Sequence, residues 1–319
     1  MLKRLMLKRA AFTLYRRSGL SNAVWRVTDQ RLRILAYHGI CNDSVVNQVW
    51  LPSYFVTGST FETHLRYLKE NATVLKLSDA YIKLKERRLP NRSVVITFDD
   101  GYANNLYNAV PLLRQYSLPA TIFISTRLVE NQELFPFDKL AFLKNRGVFT
   151  SDSYTSMPLD LFEHTLDKVW PSVRNYITPE QYQTLRPMTV REVKQLPDDI
   201  VELGAHTQSH VILRNESRER RNREIVSSIK QTADWMRAPV RTFSYPNGLS
   251  GDFDSNDKAA LRSAGVIAAV SMISGLNSAE VDPLELRRLP VSIKHDLPVF
   301  IAELTGMRST MKAFAAHFR

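Results

Sequence analysis

Val94-Val95-Ile96-Thr97-Phe98-Asp99-Asp100-Gly101-Tyr102 is an apolar run that ends abruptly in two carboxylates and a glycine. The run from Val94 to Phe98 reads as a strand covered on both faces, as in a parallel sheet. Inside a regular strand Asp99 and Asp100 would point to opposite faces. At a strand end, with Gly101 relaxing the turn, both can face one cavity. Like charges side by side are costly unless a cation or a proton lies between them. The competing reading is an ordinary turn or helix cap built from Asp and Gly.

A second apolar run, Val201 to Leu203, leads into Gly204-Ala205-His206-Thr207-Gln208-Ser209-His210. Histidines at i and i+4 share one face of a helical turn and can grip a single metal ion. Two unrelated loop histidines are the alternative, but the chain has only 7 histidines to place. Further strands are predicted at Ile34 to Tyr37, Thr121 to Ile124, Thr242 to Tyr245 and Val266 to Val270. Helical periodicity separates them at Thr60 to Glu70, with Thr60 as cap, and at Asn105 to Tyr116, where Pro111 must sit near a start or kink. It returns over Glu216 to Met236 and over Lys258 to Ala264, which stops at Gly265. Such alternation argues for a repeated βα architecture, whose functional residues collect at the C-terminal ends of strands. Both motifs sit at such ends. One Asp and two His give three protein ligands and leave positions open for water and substrate. Residues 127–187 break the rhythm and read as an insertion over the barrel mouth or one side.

With 319 residues, 44% hydrophobic and 24% charged, the chain has the composition of an ordinary globular protein. Cys41 is its single cysteine, which excludes an internal disulfide and a cysteine-based zinc site. The net charge is +11, and seven of those charges are Lys3, Arg4, Lys8, Arg9, Arg16, Arg17 and Arg26, in a stretch to Thr28 without Asp or Glu. Residues 1–30 are therefore expected to be a basic extension, and residues 31–319 one domain. An anionic membrane surface met through residues 1–28 is the expected partner of the extension, a solvated basic helix being the plainer reading. No zinc-finger, basic-zipper or RNP signature supports nucleic acid. The uncharged apolar stretch Ala10 to Tyr15 in the head is too short for a secretory core, and no run reads as a membrane span. The expected location is cytoplasmic or peripheral at a membrane.

The TFDDGY setting of Asp99-Asp100-Gly101 and the HTQSH of residues 206–210 resemble the first two signature motifs of the polysaccharide deacetylases with a NodB-homology domain, carbohydrate esterase family four. The likeness runs from about Ile34 to Met307. It takes in Tyr37-His38-Gly39, Leu89-Pro90, the Pro119 to Phe123 segment and a third motif at Phe243-Ser244-Tyr245-Pro246-Asn247-Gly248. The resemblance implies a distorted (β/α) barrel and a hydrolase that removes N-acetyl groups from an amino-sugar polysaccharide, oligosaccharide or glycolipid. It implies one divalent metal ion, zinc by donor type, held by Asp100, His206 and His210, with Asp99 as general base. Tyr245 and Asn247 are expected at the substrate end, where backbone N–H groups near Asn247 would hold the oxyanion. A non-catalytic carbohydrate binder and an O-acetyl esterase are the rival readings. Ser244 stands where the family often carries an arginine that orients the base, leaving Arg241, Arg287 and Arg288 as candidates. For the proton donor the candidates are His38, which is favoured, and His295.

Overall fold

The computed structural model describes residues 11–15, 17–149 and 153–307. Seven parallel strands close on themselves: β1 (Arg33–Tyr37), β2 (Ser93–Phe98), β3 (Ala120–Ile124), β4 (Val201–Ala205), β5 (Thr242–Ser244), β6 (Ala268–Ser274) and β7 (Leu286–Pro290). Closure comes through β1, which pairs with β7 on one edge and with β2 on the other. Thr73–Leu75 lies along the first half of β2, and Ile40–Cys41 pairs with Val56–Thr57 apart from the barrel. The distorted barrel expected from the family resemblance is the fold observed.

The six predicted strands are all present, the last displaced from Val266 to Val270 onto Ala268–Ser274. The seventh, β7, escapes the apolar pattern because Arg287 and Arg288 interrupt it. Strand alternation explains the two cores. Val94, Ile96 and Phe98 of β2 face outward under α1 (Gly58–Asn71), α2 (Val110–Tyr116) and, later in the chain, Phe300 and Ile301. Val95 turns inward and meets Ile34, Phe123, Val270 and Leu286. Each such large side chain removed from water contributes about 1.5–3 kcal/mol. Thr57, not Thr60, caps α1, its hydroxyl accepting from the Thr60 N–H. Asn105–Ala109 is a π turn leading into α2, so Pro111 occupies the first turn of the α-helix, where its missing N–H is least costly.

Between β3 and β4 the named elements among the described residues are all helical, including Thr126–Asn131, Pro136–Asn145, Leu159–Asp167 and Pro179–Leu185. This is the predicted insertion, and its aromatic side chains reach the barrel rim, as described below. At the other end of the chain, Phe12, Tyr15 and Trp25 are buried. The Arg33 guanidinium lies 3.9 Å over the Trp25 ring, and the Tyr15 hydroxyl donates to Thr305 Oγ1 at 3.1 Å. Trp25 shares the core of β1, so the expected domain boundary at residue 30 falls within packed structure. Lys3, Arg4, Lys8, Arg9 and Arg16 lie outside the described residues. Among the described residues, no helix is long and apolar enough to cross a membrane.

Candidate metal centre

The parallel register brings the C-terminal ends of β1, β2, β4 and β5 to one rim. Asp99 extends the β1–β2 pairing by one residue, its N–H donating to the Tyr37 carbonyl at 3.0 Å. The chain then turns through left-handed backbone at Asp100 (φ 74°) and Gly101 (φ 78°). A Cβ on Gly101 would stand 2.6 Å from Ile124 Cγ2, so the turn is closed to any other residue without a shift. The competing reading of a simple turn is thus half right: the turn exists, and it swings the second carboxylate onto the rim.

His206 to His210 is not a helical turn. Thr207 (φ 59°) and His210 (φ 58°) are both left-handed, which a helix cannot accommodate. The loop is held by Glu224 on α3 (Arg218–Met236), whose carboxylate accepts from the N–H groups of Gln208 and Ser209 at 2.9 Å each. Within this geometry the two imidazoles converge. Asp100 Oδ1 lies 3.5 Å from His206 Nε2 and 3.2 Å from His210 Nε2, and one ligand atom from each residue falls within 4.8 Å of the others. Neither Asp100 oxygen has a hydrogen-bond partner among the described residues, although the residue is buried. His206 Nδ1 is 2.7 Å from the Ser244 carbonyl, which can only accept, so Nδ1 carries the proton and Nε2 offers a lone pair. An orphaned buried carboxylate beside such an imidazole fits a divalent cation of the zinc type. For His210, burial pushes the imidazole down and outweighs the pull of Asp100.

Asp99 points into the barrel beside this cluster. Arg288, fully buried on β7, grips it with two parallel hydrogen bonds of 2.7 Å, NH1 to Oδ1 and NH2 to Oδ2. The same guanidinium donates to Ser244 Oγ at 3.0 Å, to the Ser271 carbonyl at 2.8 Å and to Thr97 Oγ1 at 3.3 Å. Ser244, at the position of the missing family arginine, thus anchors an arginine supplied from another strand. Arg241 and Arg287 are exposed and take no part. Burial pushes the Asp99 carboxyl up, yet Arg288 overrides it and the net direction is down.

His38 follows β1 and is partly exposed, with Nδ1 buried and unpartnered among the described residues. Burial pushes its imidazole down, while Asp100 and Asp99 pull the other way. Its ring packs against Tyr54 (centroids 4.9 Å apart). Tyr54 and Tyr102 donate to the two oxygens of Asp138 at 2.9 and 2.7 Å, and burial raises that carboxyl to about 7. His295, the other candidate acid, has Nδ1 engaged with Ser292, and its Nε2 stands 3.9 Å from Glu303. Tyr245 does not face the rim. Its ring stacks on Phe253 at 3.8 Å, its hydroxyl donates to the Leu284 carbonyl, and its N–H donates to the Val270 carbonyl. The Pro246-Asn247-Gly248 turn reverses the chain after β5 and leaves Tyr245 on the outer core face. The Asn247 side chain likewise turns away, donating to Asp252 Oδ2 at 2.6 Å.

Sequence reasoning alone does not reach Tyr154, Glu224, Tyr54 or Asp138. Tyr154, in the insertion, places its hydroxyl 2.6 Å from His210 Nδ1, and Phe135 and Phe137 pack on the same imidazole. These residues come from segments with no motif of their own.

Known proteins give the same picture. YxkH of Bacillus subtilis (strain 168) is 27% identical over 166 residues, 51% of this chain and 52% of that protein. The poly-beta-1,6-N-acetyl-D-glucosamine N-deacetylase of Staphylococcus aureus (strain MSSA476) is 35% identical over 92 residues, 28% of this chain and 32% of that one. The chain therefore spans about half the length, at most, of these curated relatives. Among solved structures, the Streptococcus pyogenes deacetylase PplD in complex with acetate shares the fold, with a TM-score of 0.63 at 18% identity over 87% of this chain and 99% of that one. The family described as polysaccharide deacetylase matches residues 86–269, more than half of the chain. That match runs through Asp99-Asp100 and through His206–His210, the two segments that the barrel rim brings together, and on that ground this chain belongs to the polysaccharide deacetylase family.

Proposed function

We propose that the chain is a metal-dependent N-deacetylase acting on an N-acetylated amino-sugar glycan. The observation that carries this reading is the Asp100 carboxylate, buried without a hydrogen bond between two imidazoles and next to a second, arginine-aligned carboxylate. Asp100, His206 and His210 would hold a divalent ion, which would supply Lewis acidity to acidify water and polarise the acetamide carbonyl. Asp99 takes the proton from the attacking water. Its two oxygens are fixed by Arg288, so the remaining lone pairs have set directions, and the net lowered pKa keeps it ionised. His38 passes a proton to the departing amine. That choice over His295 is supported by the charges of Asp100 and Asp99, which act on the His38 imidazole, and by the competing hydrogen bonds of His295. A backbone N–H near Asn247 remains the proposed oxyanion donor. The staphylococcal relative, named for poly-N-acetylglucosamine, supports a glucosamine-type polymer.

The test is acetate release from N-acetylglucosamine oligomers and from an O-acetylated sugar, after chelation and again after zinc is returned. Zinc-dependent release from the amide supports the proposal. Release from the ester alone makes the chain an esterase, and no release from either makes it a binder. The seven basic residues before Thr28 further support docking on an anionic membrane. Sedimentation with phosphatidylserine vesicles should fall when residues 1–10 are deleted, and equal sedimentation would return the head to a merely solvated segment.

A further inference from the structure

We infer that Tyr154, from the helical insertion, positions the metal ligand His210 and so sets the affinity of the site for its ion. The inference rests on the metal reading above and adds a residue to it. One hydroxyl oxygen makes two contacts with the same residue: 2.6 Å to His210 Nδ1 and 2.9 Å to the His210 carbonyl oxygen. The carbonyl can only accept, so the Tyr154 O–H donates there. The hydroxyl lone pair is then left to accept from Nδ1–H. This assignment puts the proton on Nδ1 and the lone pair on Nε2, the nitrogen that faces Asp100 at 3.2 Å. His206 reaches the same state by a different route, through the Ser244 carbonyl. Both ligands are thereby presented in the one tautomer that can bind a cation through Nε2.

The second contact matters as much as the first. His210 is a non-glycine residue at φ 58°, a sparsely populated conformation that persists only where surroundings hold it. The Tyr154 hydroxyl ties its ring and its carbonyl to one point. Phe137 packs on the imidazole at 4.9 Å and on Tyr154 at 5.7 Å, so the tyrosine has little freedom to leave. Tyr154 also packs edge-on against Phe162 of the Leu159–Asp167 helix at 5.2 Å. The insertion is thus part of the metal centre rather than an ornament on the barrel.

The test is the zinc affinity of the full chain, measured by competition with a chromophoric chelator, alongside melting of the metal-free protein. Tyr154→Phe keeps the ring and removes one oxygen. It should weaken zinc binding by roughly 10–100-fold, the usual effect of losing a partner behind a ligating histidine. Phe137→Leu disturbs the packing on the same imidazole without touching the hydrogen bond, and should change affinity far less. Unchanged affinity in Tyr154→Phe overturns the inference. So does an equal loss in both variants, which would make packing the cause. A wild-type chain that binds no zinc overturns the metal reading itself, and this inference with it.

Discussion

Replacing Arg288 by methionine removes the guanidinium that grips Asp99 inside the barrel while keeping most of the volume. Arg288 makes five hydrogen bonds there, two to Asp99 and one each to Ser244, Ser271 and Thr97. Both partners of the ion pair are buried, with side-chain exposures of 0% and 4%. Deleting one member of such a pair leaves an uncompensated charge and costs about 3–5 kcal/mol. That is a large share of a typical 5–15 kcal/mol, so the variant should fold but melt several degrees lower. The catalytic consequence is separate. Without Arg288 the largest counterweight to burial is gone, so the Asp99 carboxyl moves up and is no longer aligned. General base catalysis is worth roughly 10²–10⁴-fold, and turnover should fall into that range while zinc stays bound. Arg288→Lys keeps the charge but cannot span both oxygens, so it should recover stability more than activity. The assay is acetate release at saturating zinc, with zinc content measured on the same samples. A methionine variant with wild-type turnover would falsify the claim that Arg288 places the base.

Asp99→Asn should keep its zinc and lose about 10²–10⁴-fold in acetate release, and full activity in the loaded variant rules out the base role. His38→Ala should slow turnover with zinc retained while His295→Ala does not, and the reverse pattern in rates would exchange their roles. Glu192 offers a stability test away from the site. Burial alone would raise its carboxyl, but Arg186, the Tyr107 hydroxyl and the Thr189 N–H hold it at about 2, against an ordinary 4.5. A depressed carboxyl stabilises the fold above its unfolded pKa, and that contribution is lost as the pH falls through the window from about 4.5 to 2. Glu192→Gln should therefore melt below the wild type at neutral pH, with the gap closing across that window. A gap that stays constant down to pH 2 would contradict the assignment.

What the sequence discloses, and what it hides, follows from where the information lies along the chain. β2 is legible because its apolar residues are contiguous and its carboxylates sit just past the end, so strand and motif announce each other. The His206–His210 pair is legible by spacing, though the backbone that joins the rings is a left-handed turn rather than a helix. Spacing reports that two side chains can meet, and several backbones satisfy it. β7 is hidden because the arginine that grips Asp99 is what spoils its pattern. Arg288 sits at an inward position of a strand, where hydrophobic periodicity expects a branched aliphatic, and only barrel closure reveals that Asp99, Ser244 and Thr97 await it. Tyr245 fails in the opposite direction: it lies inside a motif, yet the turn after β5 sends its ring to the outer core. Tyr154 has no local signal of any kind, since a tyrosine in an aromatic, proline-punctuated stretch reads as packing. Residues that could touch a single ion, Asp100, His206 and His210, are set by short motifs, because ligands to one cation need close and fixed backbone. Residues that aim those ligands need only arrive from somewhere, and β7 and the insertion deliver them from 189 residues along the chain in one case and 56 in the other. In this chain Ser244 holds the third-motif position, and the guanidinium that aims Asp99 comes instead from the last barrel strand.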